Sequence, residues 1–255
     1  MTVEVTRKDG VLTITLNRPE KKNALDRSMF GELRTIFGEA DADPQVRVVV
    51  ITGAGGEFCS GADLDVTVAA PHPLEMMEHV NRSAAALHRI RVPVIAKVDG
   101  VAVGAGLNLA LGCDLVIASD RARFSEIFAR RGLSVDYGGS WLLSRRVGLH
   151  RAKELCLLAD IIDAQQAADI GLVNRVVPVS ELDKTVDDLA ARLAAGPPVA
   201  LALAKRLLDD ASSMGFEQAL DREAQAQAVN LMGPEVAEAF QAFMDKRDPD
   251  FSSSR

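Results

Sequence analysis

Val48-Val49-Val50-Ile51-Thr52-Gly53, followed by Ser60-Gly61-Ala62-Asp63-Leu64, and Val94-Ile95-Ala96-Lys97-Val98-Asp99-Gly100, followed by Gly104-Ala105-Gly106, repeat one design. In each, a β-branched strand runs into glycine and then into a turn of small residues. Turns of Gly and Ala carry no bulky side chain, so their peptide N–H groups can come within hydrogen-bond reach of a guest atom, and a helix starting there adds its dipole. Two such approaches to one ligand make a cradle for a developing oxyanion, where each preorganised donor is worth roughly 3–4 kcal/mol of barrier. The pair points to carbonyl chemistry.

Outward from this pair, the chain alternates strands and helices. Val3 to Thr6 and Val11 to Leu16 flank Asp9-Gly10 with alternating apolar and polar residues, the signature of a β-hairpin. Leu25, Met29, Leu33, Ile36, Phe37 and Ala40 then recur at helical spacing behind Asp26, a suitable N-cap, and Asp43-Pro44 ends them. The apolar run 46–51 reads as a strand buried on both faces. Residues 73–90 suit a helix, 92–98 a strand, 105–112 a short helix and 114–118 a second buried strand. Asp163 caps another short helix that Gly171 ends, before a strand at 173–177. This order predicts an α/β fold with parallel pairing and right-handed crossovers. After Pro178 the pattern is helical throughout, over 180–195, 198–210, 216–231 and 234–247. Its Leu201, Leu207, Leu208, Phe216, Leu220, Leu231, Met232, Phe240 and Phe243 exceed what four short helices can hide, so packing on the core or on a partner subunit is predicted. The tail from Phe251 is expected to fray.

Composition narrows the partners. The chain has 255 residues and 48% hydrophobic content, enough for a large core. Its 29 Lys+Arg minus 36 Asp+Glu leave −7, which opposes a nucleic-acid surface or a polybasic membrane anchor. The clearest basic cluster is Arg18, Lys21, Lys22 and Arg27. Cys59, Cys113 and Cys156 are odd in number and contain no C-x-x-C, which suits a reducing compartment. Met1-Thr2-Val3-Glu4-Val5 opens no leader-like apolar stretch, and no window reaches the roughly 18 apolar residues of a membrane span, so a soluble, cytoplasmic protein is expected. His72, His79, His88 and His150 lack metal-ligand spacing, and no metal is expected.

Three familiar motifs fail. Gly104-Ala105-Gly106 begins like a dinucleotide fingerprint, but Leu109 stands where its third glycine belongs. Gly56 and Gly61 have phosphate-loop spacing, yet Ala62-Asp63 replaces the required Lys-Ser/Thr. No Gly-x-Ser-x-Gly surrounds Ser60, Ser134, Ser140 or Ser144, so a hydrolase nucleophile elbow has no home.

One ordered set remains: Asn17-Arg18-Pro19, Lys22-Asn23-Ala24-Leu25, Phe58-Cys59-Ser60-Gly61-Ala62-Asp63-Leu64, Asp99-Gly100-Val101-Ala102-Val103-Gly104-Ala105-Gly106, Cys113-Asp114, Gly132-Leu133 and Gly138-Gly139-Ser140. With it the chain resembles the crotonase (enoyl-CoA hydratase/isomerase) superfamily along nearly its whole length. The resemblance implies a crotonase (ClpP-like) spiral of ββα units over 1–195, carrying the active site, and a C-terminal α-helical trimerisation region over 196–255. It implies an oxyanion hole for a CoA thioester carbonyl, formed by the N–H groups of Ala62 and Ala105. Lys22, Ala24, Leu25, Ser60, Gly61, Asp63, Leu64, Gly104 and Phe128 are the implied substrate and CoA contacts, with Phe243 and Lys246 joining from the end of a chain, often a neighbouring subunit's. Coenzyme A would enter as part of the acyl-CoA substrate, with no separate cofactor, and the assembly would be a homotrimer or a dimer of trimers.

Family hydratases carry two glutamates, and the matching positions here hold Asn108 and Phe128. Glu126 lies two residues off the second; on strand geometry its carboxylate stands about 7 Å away along the chain, which makes it a reserve candidate. Asp136, ahead of Gly138-Gly139, is the acid in position, and this pattern resembles the isomerase branch, that of the phenylacetate ring-epoxide isomerases most. One base is enough for a 1,3-proton shift with the dienolate held by Ala62 and Ala105. Val135, Tyr137, Phe128 and Trp141 predict an apolar wall that raises the acid's pKa by desolvation. A plain use for Asp136 is also open: capping backbone N–H groups ahead of Gly138. The reading is an enoyl-CoA isomerase. A hydratase, a dehalogenase-like member with Asp as nucleophile and a non-catalytic acyl-CoA-binding protein stand as alternatives.

Overall fold

The computed structural model describes residues 2–63 and 72–252 of the chain. β1 (Val3–Lys8) and β2 (Val11–Leu16) form the predicted antiparallel hairpin. Asp9 and Gly10 between them both have positive φ, as a two-residue hairpin turn requires. α1 (Arg27–Ala42) follows, its first turn capped by the Asp26 carboxylate, which accepts from the Met29 N–H at 3.0 Å. The helix returns the chain to the same end of the sheet, so β3 (Val48–Gly53) pairs with β2 in parallel. α2 (Pro73–Arg89) packs on α1 and leads to β4 (Val94–Val98) beside β3.

β3 shows why the sheet is buried on both sides. Its side chains alternate, so Val49 and Ile51 join the large core with Met29, Leu33 and Phe37 of α1. Val48 and Val50 join a second core with Leu182 and Val186 of a later helix. Each such buried aliphatic contributes roughly 1.5–3 kcal/mol relative to an exposed position.

At Asp99-Gly100 the chain leaves the large sheet and enters a small one, in β5 (Val101–Val103), and then starts α3 (Ala105–Leu111). β6 (Leu115–Ser119) rejoins the large sheet beside β4, and β7 (Arg123–Ser125) pairs with β5. α4 (Gly139–Leu158), β8 (Ile162–Asp163) and α5 (Ala164–Asp169) precede β9 (Arg175–Val177), which completes the large sheet in the order β1-β2-β3-β4-β6-β9. The small sheet is β5-β7-β8. Its strands of two or three residues are too short for an alternation signal, and none was predicted from sequence. α4 likewise has no helical periodicity in its sequence. Its apolar residues are spread around the axis, and Gly148 (φ 74, ψ 162) breaks it.

α6 (Val179–Ala194) covers the outer face of the large sheet, followed by α7 (Pro198–Ala211), α8 (Phe216–Met232) and α9 (Pro234–Asp245). The buried Glu235 carboxylate accepts from the first N–H groups of α7, at Val199 (2.9 Å) and Ala200 (3.2 Å), a favourable place for negative charge. Phe251, at the start of the tail expected to fray, is buried, and its carbonyl accepts from Arg47, while 253–255 lie outside the described residues. Phe216, Met232 and Phe243 remain 76%, 89% and 79% exposed, so the packing on the core expected of them is not made.

Candidate active site

The two small-residue turns lie side by side. The segment around Cys59 runs parallel to β5 and is stitched to it, Cys59 N–H donating to Val101 O (2.8 Å) and Val103 N–H to Cys59 O (3.0 Å). The approach is too close for side chains: a Cβ on Gly106 would overlap the Cys59 carbonyl, and one on Gly61 would lie 2.9 Å from Val103 O. Gly61 (φ 102) and Gly104 (φ 54) also hold backbone conformations that L side chains avoid. Leu25 N–H donates to Gly61 O and Asp63 N–H to Leu25 O, both at 2.8 Å. These bonds use the peptides on either side of Ala62. Among the described residues, neither the Ala62 N–H nor the Ala105 N–H has a partner. Cys59, beside them, is no nucleophile, since burial pushes its thiol up to about 12.

The basic cluster near the N-terminus braces this arrangement. Arg18 donates to Ala24 O (2.7 Å) and pairs with Asp63 (2.8 Å), which Lys21 also meets at 3.1 Å. Ser60 Oγ donates to Lys21 O (3.0 Å), and Lys22 pairs with Glu57 (3.1 Å). Asp63 and Ser60 thus tie residues 18–25 to the first turn. Ala24 and Leu25 are buried beneath, and Leu64 lies outside the described residues. Phe128 is buried against Gly104. Phe243 and Lys246 sit exposed at the end of α9, and no described contact joins them to the turns.

Asp136 stands on the loop between residues 132 and 138. Its side chain does not cap α4, whose N-terminus has no side-chain hydrogen bond, and its Oδ1 is buried without a partner among the described residues. Burial pushes the carboxyl up to about 6. The adjacent Tyr137 holds the left-handed region (φ 50), uncommon for a bulky residue. Its ring is buried near Phe30, and its hydroxyl shares a 2.9 Å hydrogen bond with Ser83 of α2, which fixes the loop.

Beneath the loop, Asn108 of α3 donates to Asp136 O at 3.0 Å and to Glu126 Oε2 at 3.4 Å. Glu126 is not the displaced strand residue that the sequence suggested. The chain bends after β7 (Glu126 φ −86, ψ 63), which turns the carboxyl inward to complete burial beside Asn108. Desolvation, together with the nearby Asp136 and against the Asn108 hydrogen bond, pushes it up to about 8. The available signal was a carboxylate set between apolar Phe124 and Ile127-Phe128.

A cavity of about 460 Å³ opens beside these groups, lined by Asn81, Ala84, Ala85, Leu87 and His88 of α2 and by Asn108, Tyr137, Gly138, Trp141 and Leu142. Trp141 stacks under Arg145 at 3.9 Å and meets His88 edge-on at 5.4 Å. The arrangement offers two free main-chain donors, two desolvated carboxyls and an apolar chamber. Such a set can stabilise a carbonyl-derived anion while moving a proton.

Comparison with known proteins points to one family. Residues 6–254 match the pattern of the family Enoyl-CoA hydratase/isomerase. The chain is 37% identical to the 1,2-epoxyphenylacetyl-CoA isomerase of Escherichia coli (strain K12), with 95% of each chain covered. It is 35% identical to the short-chain-enoyl-CoA hydratase of Clostridium acetobutylicum, again over 95% of both. Among solved structures, an enoyl-CoA hydratase of Mycobacterium smegmatis superposes with a TM-score of 0.93 at 34% identity, covering 98% of both chains.

Proposed function

The chain belongs to the enoyl-CoA hydratase/isomerase family, and within it we propose an enoyl-CoA isomerase in which Asp136 carries one proton from C2 to C4 of a 3-enoyl thioester. The Asp136 carboxylate takes the C2 proton, and the C2–H bonding pair moves into the conjugated system as negative charge on the thioester oxygen. The N–H groups of Ala62 and Ala105 hold that oxygen. The carboxylic acid then returns the proton at C4, the double bond settles between C2 and C3, and the carboxylate is restored. CoA lies along residues 22–25 in this reading, and Phe243 and Lys246 meet it from a neighbouring subunit of a homotrimer.

The observation that carries the reading is the uncapped, desolvated Asp136 carboxyl, titrating near 6, in a site where Asn108 and Phe128 supply no base. A catalytic base works best with a pKa near the operating pH. Hydration needs a water positioned and a second proton held ready. The second acid at hand, Glu126, is wholly buried. The test is to supply a 3-enoyl-CoA and a 2-enoyl-CoA separately and follow double-bond migration and hydration. Migration that falls by a factor on the order of 10²–10⁴ in D136N is expected. Hydration of the 2-enoyl-CoA without migration, or a D136N variant as fast as the parent, overturns the reading.

A further inference from the structure

Among the described residues, Asn108 Oδ1, Glu126 Oε1 and Asp136 Oδ1 are buried oxygens without hydrogen-bond partners. Orphans of this kind are rare and require an explanation. Two of the three belong to side chains already in contact, since Asn108 Nδ2 donates to Glu126 Oε2 at 3.4 Å. An ionised Glu126 offers only acceptors, and the Asn108 amide oxygen is another acceptor. No arrangement of an ionised Glu126 can therefore satisfy that oxygen. A proton on Oε1 turns this oxygen into a donor, the kind of group that the Asn108 amide oxygen lacks.

We propose that Glu126 is a neutral carboxylic acid paired through two hydrogen bonds with the Asn108 carboxamide, and that this acid–amide pair positions Asp136. The remaining Asn108 N–H holds the Asp136 carbonyl at 3.0 Å. The amide also lies so close over Gly139 that a Cβ there would overlap it. Pairing with Glu126 removes the amide's rotational freedom and fixes which end faces the loop. That loop includes Tyr137 in its strained left-handed conformation and needs such a restraint.

The surroundings favour the neutral form. Glu126 is 0% exposed, and the titratable groups facing it are the Asp136 carboxyl and the Cys156 thiol of α4, neither of them a cation. Burial pushes Glu126 up to about 8 and Asp136 to about 6, so between these values the two acids share one proton, held by Glu126 while Asp136 is the anion. Above this range Glu126 ionises, loses its donor and places a second negative charge next to Asp136. Glu126 is a positioning residue, and its role rests on the reading of Asp136 as base.

Infrared difference spectroscopy of the whole protein tests the protonation without any assay. A carboxylic-acid carbonyl band at neutral pH, lost above about pH 8 and absent from E126Q, is expected. In kinetics, Gln at 126 preserves an amide–amide pair that cannot ionise. E126Q therefore retains most of the parent's kcat at neutral pH, keeps the acid limb near pH 6 and loses the alkaline limb near pH 8. E126L cannot pair, and its kcat falls about tenfold to a hundredfold with KM unchanged, the pattern of a misplaced base. The proposal is overturned if no protonated Glu126 is seen at neutral pH, if E126Q is inactive at every pH, or if E126L keeps the parent's kcat and pH profile. A D136N variant with full activity would sink the base assignment alone, leaving the infrared result to judge the pair.

Discussion

The turns at Gly61-Ala62 and Gly104-Ala105 offer the site only main chain, whereas the loop at residues 133–139 offers a side chain held in place by other side chains. The turns are fixed by strand geometry. Parallel pairing of Cys59 with Ala102, together with glycines that admit no Cβ, leaves two N–H groups in one place. The loop is fixed from below by Asn108 and from the side by the Tyr137–Ser83 hydrogen bond. In the proposed reading a main-chain device presents the same donors whatever reaction follows, while the loop decides where a proton goes. This division accounts for a family in which hydratase and isomerase names both occur among relatives of comparable similarity.

The comparison breaks most readily at the loop. Asp136→Asn keeps shape and removes the base, so kcat for double-bond migration should fall on the order of 10²–10⁴, the range for lost general-base catalysis. The parent's own rate should rise as pH passes about 6, where Asp136 loses its proton, and fall away below it. At the turns, Ala62→Pro deletes one N–H donor and should lower kcat by about 10²–10³, as removal of a single oxyanion donor does. Both are read in the same migration assay, with circular-dichroism melting as the control for folding. A larger loss for Ala62→Pro than for Asp136→Asn would place the burden of catalysis on the turns.

How far each region could be read from the sequence follows the same division. The turns depend on residues close together in the chain, with strand, glycine and small residue in order, so their spacing alone pointed to a paired approach. The hairpin, α1 and β3 were legible for the same local reasons: Asp9-Gly10, the Asp26 cap and an unbroken apolar run. Asn108, Glu126 and Asp136 come together from α3, the bend after β7 and the loop before α4. No periodicity links them, and the strands of the small sheet that set the bend are too short to show in sequence. Strand spacing does not place Glu126, because the backbone turns at that residue.

Packing at the turns gives a smaller expected effect. Gly106→Ala puts a methyl group into the Cys59 carbonyl, and since neither β5 nor the 59–61 segment can move without losing its hydrogen bonds, the strain should cost about 1–3 kcal/mol of stability. Denaturant unfolding measures this. A Gly106→Ala variant as stable as the parent would mean that the two turns are looser than their stitching implies.

The loop should show the opposite behaviour, gaining stability when its acids are neutralised. Asp136 and Glu126 have folded pKa values of about 6 and 8, above the ordinary 3.8 and 4.5, so the unfolded chain releases these protons first as pH rises. Stability is then highest, as far as these two groups go, below about pH 4 and declines through pH 6 for Asp136 and pH 8 for Glu126. Asn and Gln do not ionise and escape that decline. The stability of D136N relative to the parent should therefore climb between about pH 4 and 6, by on the order of 1–2 kcal/mol once the partial exposure of Asp136 is allowed for. That of E126Q should keep climbing to about pH 8 and then level off. If the parent and both variants melted in parallel at every pH, the loop would hold no desolvated acid, and the contrast between a relaxed main-chain half and a strained, charged half would disappear.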